Sequence, residues 1–395
     1  MVKSRLRSTF LALFVATCAS QLGLGIIAPI FPLYAGSFTA SAFSIGITFA
    51  AFSAARAVLA PALGRMSDRS DRRVMMLLGL LGYSLVSVLF IFASSLWHLG
   101  VLRFIQGATA AMVAPIAQAY VGDLTPPGRE GRYINIFYSS MFLGMALGPV
   151  IGGAVAETWS YQAAFLLMGG IGLAALVMVA VLLPKNNPSK SREAAGPPTV
   201  SQRGALLRDK GVLTLLVYWI TRGFWQQGFN TFYPLFAVAA SGLSESSIGI
   251  VLTVQLLASG LLQIPFGWLA DRYRRLPQVA VGGILSPFAM LGIIFVRDQW
   301  AIVLLAFAMG VLDALSRASM LAARVELGRS HGMGVMAGLQ SGGFGIGQLA
   351  GPMVCGVVVD LAGVKSIIPF ASAIGLLGAI ATTLLFMRCL QEPPL

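Results

Sequence analysis

Residues 64–73 read GRMSDRSDRR, and residues 267–275 read GWLADRYRR. Each is a short charged segment between long apolar runs. Gly64, Asp68, Arg69 and Arg72 return 203 residues later as Gly267, Asp271, Arg272 and Arg275. The same offset carries Ser44-Ile45-Gly46-Ile47 onto Ser247-Ile248-Gly249-Ile250 and Gly107 onto Gly310. It also carries Gly131 onto Gly334, Gly144 onto Gly347, Gly148-Pro149 onto Gly351-Pro352, and Gly153 onto Gly356. Asp123 returns as Glu326 with its charge kept. The register holds without a gap from 44 to 153, so the chain is an internal duplication.

The 395 residues include 27 Lys or Arg and 14 Asp or Glu; 57% are apolar and 10% charged. Soluble domains average about 25% charged residues, so this surface belongs largely in lipid. Apolar runs at 9–35, 43–63, 74–95, 99–121, 133–156 and 161–183 form one set. A second set lies at 212–240, 246–266, 277–296, 300–323, 334–359 and 366–387. A helix of such length crosses a bilayer core of about 30 Å. The chain therefore reads as an all-α polytopic membrane protein of twelve transmembrane helices. Two six-helix bundles, 1–183 and 212–395, are joined by a polar Pro- and Ser-rich linker, 184–211. Six spans repeated in the same orientation form a parallel repeat, which predicts a pseudo-two-fold axis along the membrane normal and a cavity between the halves.

Alternate loops carry 21 basic residues on one side and only Arg297 and Lys365 on the other. The positive-inside rule places both termini in the cytoplasm. It also accounts for the net charge of +13 without a nucleic-acid partner; membrane lipids are the expected contact of the basic face. The first span begins near residue 9 and reads as a retained helix rather than a cleaved signal. Cys18, Cys355 and Cys389 have no metal-ligand spacing, so neither a disulfide framework nor a metal is expected. No G-x-x-x-x-G-K-[ST] loop is present, and His98 and His331 have no evident catalytic partners. An enzyme is therefore not expected, and no cofactor is called for.

With these motifs in view, the chain resembles the major facilitator superfamily over its full length. The 64–73 loop resembles that family's signature between helices 2 and 3, with Asp71 where the family has Gly. In the family this loop latches the cytoplasmic side. The resemblance makes Gly64, Asp68, Arg69, Arg72, Asp123, Gly267, Asp271, Arg272, Arg275 and Glu326 a cytoplasmic gate, with Arg72–Asp123 and Arg275–Glu326 as candidate ion pairs. On the residues alone, the glycines would let helices meet closely, and the charges could serve topology only. Arg103-Phe104-Ile105-Gln106-Gly107 resembles a motif associated in the family with proton coupling. Gly144, Gly148, Pro149, Gly152 and Gly153 resemble a motif of drug:proton antiporters. Span 11 repeats it as Gly347, Gly351, Pro352 and Gly356, with Cys355 in place of one glycine. Small residues at this spacing also serve ordinary helix packing.

Five charges lie within spans: Arg56, Arg103, Arg222, Asp313 and Arg317. At mid-helix each costs about 2.5–3.5 kcal/mol on insertion scales, so they are expected to face the protein interior. Asp313 and Arg317, at i and i+4, can meet on one helix face. They read either as a neutral structural pair or as a proton-binding carboxylate with its partner. Proton coupling is assigned to Asp313, Arg317 and Arg103. The substrate cavity is assigned to Arg222, Trp225, Gln226 and Asn230 of the polar seventh span, with Gln106, Gln21, Tyr138, Gln255 and Gln340. Arg56 is read as a gate or packing residue near the cytoplasmic third of span 2.

The resemblance thus implies a proton-coupled secondary transporter of the bacterial inner membrane, exporting a small amphiphilic molecule by alternating access and working as a monomer. Cation exporters of the family commonly carry a carboxylate deep in the N-terminal half, and this chain has none. The alternative is therefore an organic-anion or polar-lipid transporter whose arginines bind the head group.

Overall fold

The computed structural model describes residues 2–38, 41–125, 130–184 and 209–391, without the side chains at 2–8, 68–69, 122–124, 130–135 and 390–391. Regular structure among these residues is helical. The first set of helices is α1 (Val2–Gly36), α2 (Ala42–Arg69), α3 (Arg72–Leu89), α4 (Leu96–Ala111), α5 (Ala114–Leu124), α6 (Glu130–Thr158) and α7 (Tyr161–Leu182). The second is α8 (Lys210–Ser241), α9 (Glu245–Leu261), α10 (Gln263–Arg272), α11 (Arg275–Gly292), α12 (Gln299–His331), α13 (Met333–Ala362) and α14 (Ile367–Gln391).

Twelve membrane passages result, because two of them are broken helices. α4 and α5 meet at Met112–Val113, just before Pro115; α9 and α10 meet at Leu262, just before Pro265. Proline lacks the N–H that would close the preceding turn, which loosens the ladder at each break. Eleven of the passages are long and apolar enough to be scored as spans on composition. The twelfth is α8, whose 32 residues include Arg222, Gln226, Gln227 and Asn230. Most of the linker, 185–208, lies outside the described residues.

Polar side chains start the helices where the chain turns. Asp71 accepts a bond from Arg73 N at 2.9 Å and caps α3. This assigns a task to the residue that departs from the family's glycine: a carboxylate N-cap satisfies an amide that the first turn leaves open. Ser41, Ser95, Ser160, Asp209 and Asp298 cap α2, α4, α7, α8 and α12 likewise. α8 ends at Gly242, whose φ of 62° lies in the left-handed region that glycine enters without a Cβ penalty.

Contacts divide the chain into two units. One holds residues 1–190 and 243–253, the other 191–242 and 254–395. Within the first, α1 packs on α6 and α7, α2 on α4, and α3 on α4 and α7. Within the second, α8 packs on α13 and α14, α10 on α12, and α11 on α12 and α14. The pairings repeat as the sequence does. Glycines set the closest approaches. A Cβ at Gly107 would stand 2.4 Å from the Phe52 carbonyl oxygen, and one at Gly310 would stand 2.4 Å from that of Gln255. Phe52 and Gln255 are themselves 203 residues apart, so both units use the same contact.

The Gly-Pro segments behave in the same way. Cβ atoms at Gly144 and Gly152 would meet the carbonyls of Cys18 and Ile26 on α1 at 2.3 and 2.4 Å, and one at Gly148 would meet Gly25 Cα at 2.4 Å. On α13, Cβ atoms at Gly347 and Gly351 would meet the carbonyls of Ile220 and Phe224 of α8 at 2.1 and 2.3 Å. Pro149 and Pro352 lie inside their helices, and Gly356 is buried. A Cβ at Gly153 would instead meet the Glu245 carbonyl at 2.2 Å, in the part of α9 that belongs to the first unit.

Gly347→Ala forces a methyl into backbone and should cost about 1–3 kcal/mol. At Gly338 an added Cβ meets nothing within 4 Å; Gly338→Ala should show no loss. Thermal denaturation of the purified variants distinguishes the two.

Candidate functional site

The deepest charges of the second unit form one cluster. Asp313 on α12 and Arg222 on α8 are 6% and 5% exposed. Arg222 Nε donates to Asp313 Oδ1 at 2.8 Å and Nη2 donates to Oδ2 at 2.9 Å. This fork matches the flat guanidinium to the carboxylate with two parallel bonds. Ser259 of α9 donates its hydroxyl to Asp313 Oδ2 at 2.5 Å. Gly310 makes that bond possible, since a Cβ there would fall 3.1 Å from Ser259 N.

The expected Asp313–Arg317 pair is therefore corrected. Asp313 is held by Arg222, and Arg317 Nη2 donates to the Ser259 carbonyl at 2.9 Å. The i, i+4 spacing allowed a pair, but the fork from α8 satisfies both carboxylate oxygens and Ser259 takes the place between the two. Arg222, read from the sequence as a lining residue, is thus fastened to the carboxylate.

A cavity of about 30 Å³ adjoins the pair, lined in part by Tyr218, Arg222, Trp225, Ser286, Asp313 and Thr382. By size it takes about two waters and no organic substrate. Trp225, assigned to a substrate cavity, is 8% exposed and lines this small space. Tyr218 and Ser316 share a hydrogen bond at 2.9 Å beside it.

Arg103 in the first unit is a different arrangement. Its guanidinium carbon lies 4.7 Å from the ring centres of Phe31 and Phe49 and 5.1 Å from that of Phe52. Nη1 donates to Gln106 Oε1 at 3.0 Å. Among the described residues no carboxylate pairs with it, so ring faces compensate part of its charge. Arg56 is half-buried, with its guanidinium 5.7 Å from the Phe52 ring centre.

The remaining expected lining residues are dispersed. Gln106 and Gln255 are buried, and Tyr138 is exposed and bonded to Gln118 Nε2 at 2.9 Å. Gln21 Nε2 lies 3.8 Å from Met145 Sδ. Gln340 accepts from Arg324 Nη1 at 2.6 Å. Gln226 and Asn230 are half-buried on α8. Each remains a candidate within its own unit.

At the loop motifs, Arg275 and Glu326 form an ion pair, and Arg275 Nε also donates to the Ala270 carbonyl at 3.3 Å. Arg272 lies 5.5 Å from the Trp268 ring. The Arg72–Asp123 pair falls on a side chain outside the described residues, as do Asp68 and Arg69. At Gly64 and Gly267 an added Cβ meets nothing within 4 Å among the described residues.

Sequence reading missed Ser259, and missed Phe31, Phe49 and Phe52 around Arg103. A signal existed for Ser259: it stands 203 residues after Arg56, at a position polar in both repeats. The aromatic residues carry no pattern that distinguishes them from lipid-facing ones.

Two repeated bundles of membrane-length helices, with a charge pair buried inside one, define a polytopic secondary transporter of small molecules. A sequence model of the Major Facilitator Superfamily matches residues 13–245 and 226–394, and the chain belongs to that family. An uncharacterized MFS-type transporter of Methanocaldococcus jannaschii is 23% identical over 386 residues, covering 97% of this chain and all of that one. The quinolone resistance protein NorA of Staphylococcus aureus is 24% identical over 341 residues, 86% of this chain and 87% of its own. Among solved structures, the nucleoside transporter NupG (D323A mutant) superposes with a TM-score of 0.77 at 13% identity, covering 96% of this chain and all of that one. A bacterial homolog of the human lysosomal transporter Spinster gives 0.73 at 15% identity, covering 98% and 95%. These likenesses show the fold.

Arg222→Ala leaves Asp313 buried without its partner and should cost about 3–5 kcal/mol, more than replacing both residues by leucine. Arg275→Ala breaks an exposed pair and should cost less than about 1 kcal/mol. Denaturation midpoints of the three variants check this order.

Proposed function

We propose that this transporter exchanges protons for a small amphiphilic molecule, exporting it by alternating access with Asp313 as the proton site. One observation carries the reading. Among the described residues Asp313 is the buried acid, and it is tied to a cation on another helix. Protonation removes the negative charge, releases the fork, and leaves Arg222 as a buried cation seeking a new partner. A proton thus changes which helix arrangement is favoured, as coupling requires. The likeness to a quinolone resistance protein supports export of an organic compound. The excess of basic residues in alternate loops supports a reading with both termini on the cytoplasmic side, and that reading takes the chain as a monomer of a bacterial inner membrane.

A specific observation also favours a second reading. With Asp313 forked to Arg222, Arg56 and Arg103 have no carboxylate partner among the described residues, and Arg317, which faces Asp313, forms no ion pair with it. A substrate with an anionic or acceptor-rich head group suits that field. A thermal-shift panel of matched anionic and cationic amphiphiles tests this; stabilisation by cations alone would contradict it.

Asp313→Asn should abolish flux of a fluorescent amphiphile driven by a pH gradient in proteoliposomes, while the protein still inserts and folds. Unchanged pH-driven flux would remove Asp313 from the mechanism.

A further inference from the structure

The cavity beside Asp313 lies within the second unit, between α8, α11, α12 and α14. Its walls contain two hydroxyls that nothing in the protein satisfies. Ser286 Oγ on α11 and Thr382 Oγ1 on α14 are buried, 4% and 0% exposed, and neither has a protein hydrogen-bond partner. Helical Ser and Thr commonly bond the carbonyl one turn back, as Thr221 does on the same wall. These two do not. A buried polar group without a partner is unfavourable, and the space of about 30 Å³ that these two hydroxyls and the charge pair border, within an otherwise apolar wall, is large enough for about two waters.

The cavity also reaches the charge pair. Asp313 Oδ2 accepts from Arg222 Nη2 and Ser259 Oγ, whereas Oδ1 accepts from Arg222 Nε alone. Oδ1 therefore keeps a lone pair. The charged and titratable groups facing Asp313 are Arg222 and Tyr218 from α8 and Arg317 on its own helix. Ser259 faces it from α9. α11 and α14 contribute to this space only hydroxyl, glycine, alanine, valine and proline side chains.

We propose that this cavity is a hydration chamber, in which Ser286 and Thr382 hold the waters that deliver the proton to Asp313. The inference rests on Asp313 being the proton site. A hydronium in the chamber gives one proton to Oδ1 and remains as water, while Arg222 keeps its own protons. Ser286 and Thr382 are positioning residues that act through the water. Glycine shapes the chamber: a Cβ at Gly378 would overlap Thr221 Cγ2 at 1.9 Å, and one at Gly283 would come to 3.1 Å from Ala379 Cβ. Water thereby reaches the carboxylate from inside the bundle, on a route the substrate does not share.

Two measurements on the full-length protein in lipid nanodiscs test this. The first is radiolytic hydroxyl labelling in H₂¹⁸O. Buried Trp225 and Tyr218 should be labelled in the wild type, and labelling should fall at least fivefold in Ala379→Val, which fills the chamber. The second is the rise of the Asp313 carboxylic-acid infrared band after a caged-proton pH jump. Ser286→Ala with Thr382→Val should slow it at least tenfold, and Ser286→Thr should not. Unlabelled Trp225 and Tyr218, or an unchanged rise in the double variant, would overturn the chamber while leaving Asp313 as the proton site. A wild type with no band sensitive to Asp313→Asn would overturn the proton-site reading, and the route with it.

Discussion

A carboxylate and a guanidinium withdrawn from water must stay together or change charge. That constraint organises the second unit. Asp313 and Arg222 are each costly alone in a low-dielectric interior, and the fork between them offsets much of that cost. Because the partners sit on α12 and α8, the pair ties two membrane helices at depth. Ser259 adds a third helix, and Arg317 reaches the same residue through its carbonyl. One proton on Asp313 would alter each bond the carboxylate accepts. The second unit is thus cross-linked by polar bonds, whereas the first encloses its buried arginine in aromatic rings.

The contrast is sharpest against the repeat. Helix pairings and close glycine contacts are duplicated, down to Gly107 against Phe52 and Gly310 against Gln255. The intramembrane charges are not. At the matching repeat positions, Asp313, Arg317 and Arg103 correspond to Ala110, Ala114 and Ala306. A symmetric scaffold therefore carries asymmetric chemistry: a methyl holds the place in one copy that a charge holds in the other. Backbone packing is preserved by small residues in both copies, leaving the charges free to differ.

Most of the architecture was legible in the sequence, because lipid imposes it. Span lengths, the 203-residue offset and the Gly-Pro segments all follow from helices that must satisfy their own backbone and pack closely. The partner of Asp313 was not legible. Sequence spacing shows neighbours on one helix, so Arg317 stood out, while Arg222 meets Asp313 only through the crossing of α8 and α12. At Gly64 and Gly267 no atom of the described residues lies within 4 Å of an added Cβ, so a glycine in the sequence does not by itself tell where a close crossing falls. Ser259 was visible only as the polar counterpart of Arg56, a signal that needs the fold before it has meaning.

The claim at the centre is that the Asp313–Arg222 bond breaks when Asp313 takes a proton. Solid-state NMR can measure it directly, through the dipolar coupling between ¹³C at Asp313 Cγ and ¹⁵N in the Arg222 guanidinium, in lipid across a pH series. The account predicts a strong coupling for the ionised pair that collapses together with the shift of Cγ to its protonated position. A coupling that persists at every pH at which the protein transports would contradict it.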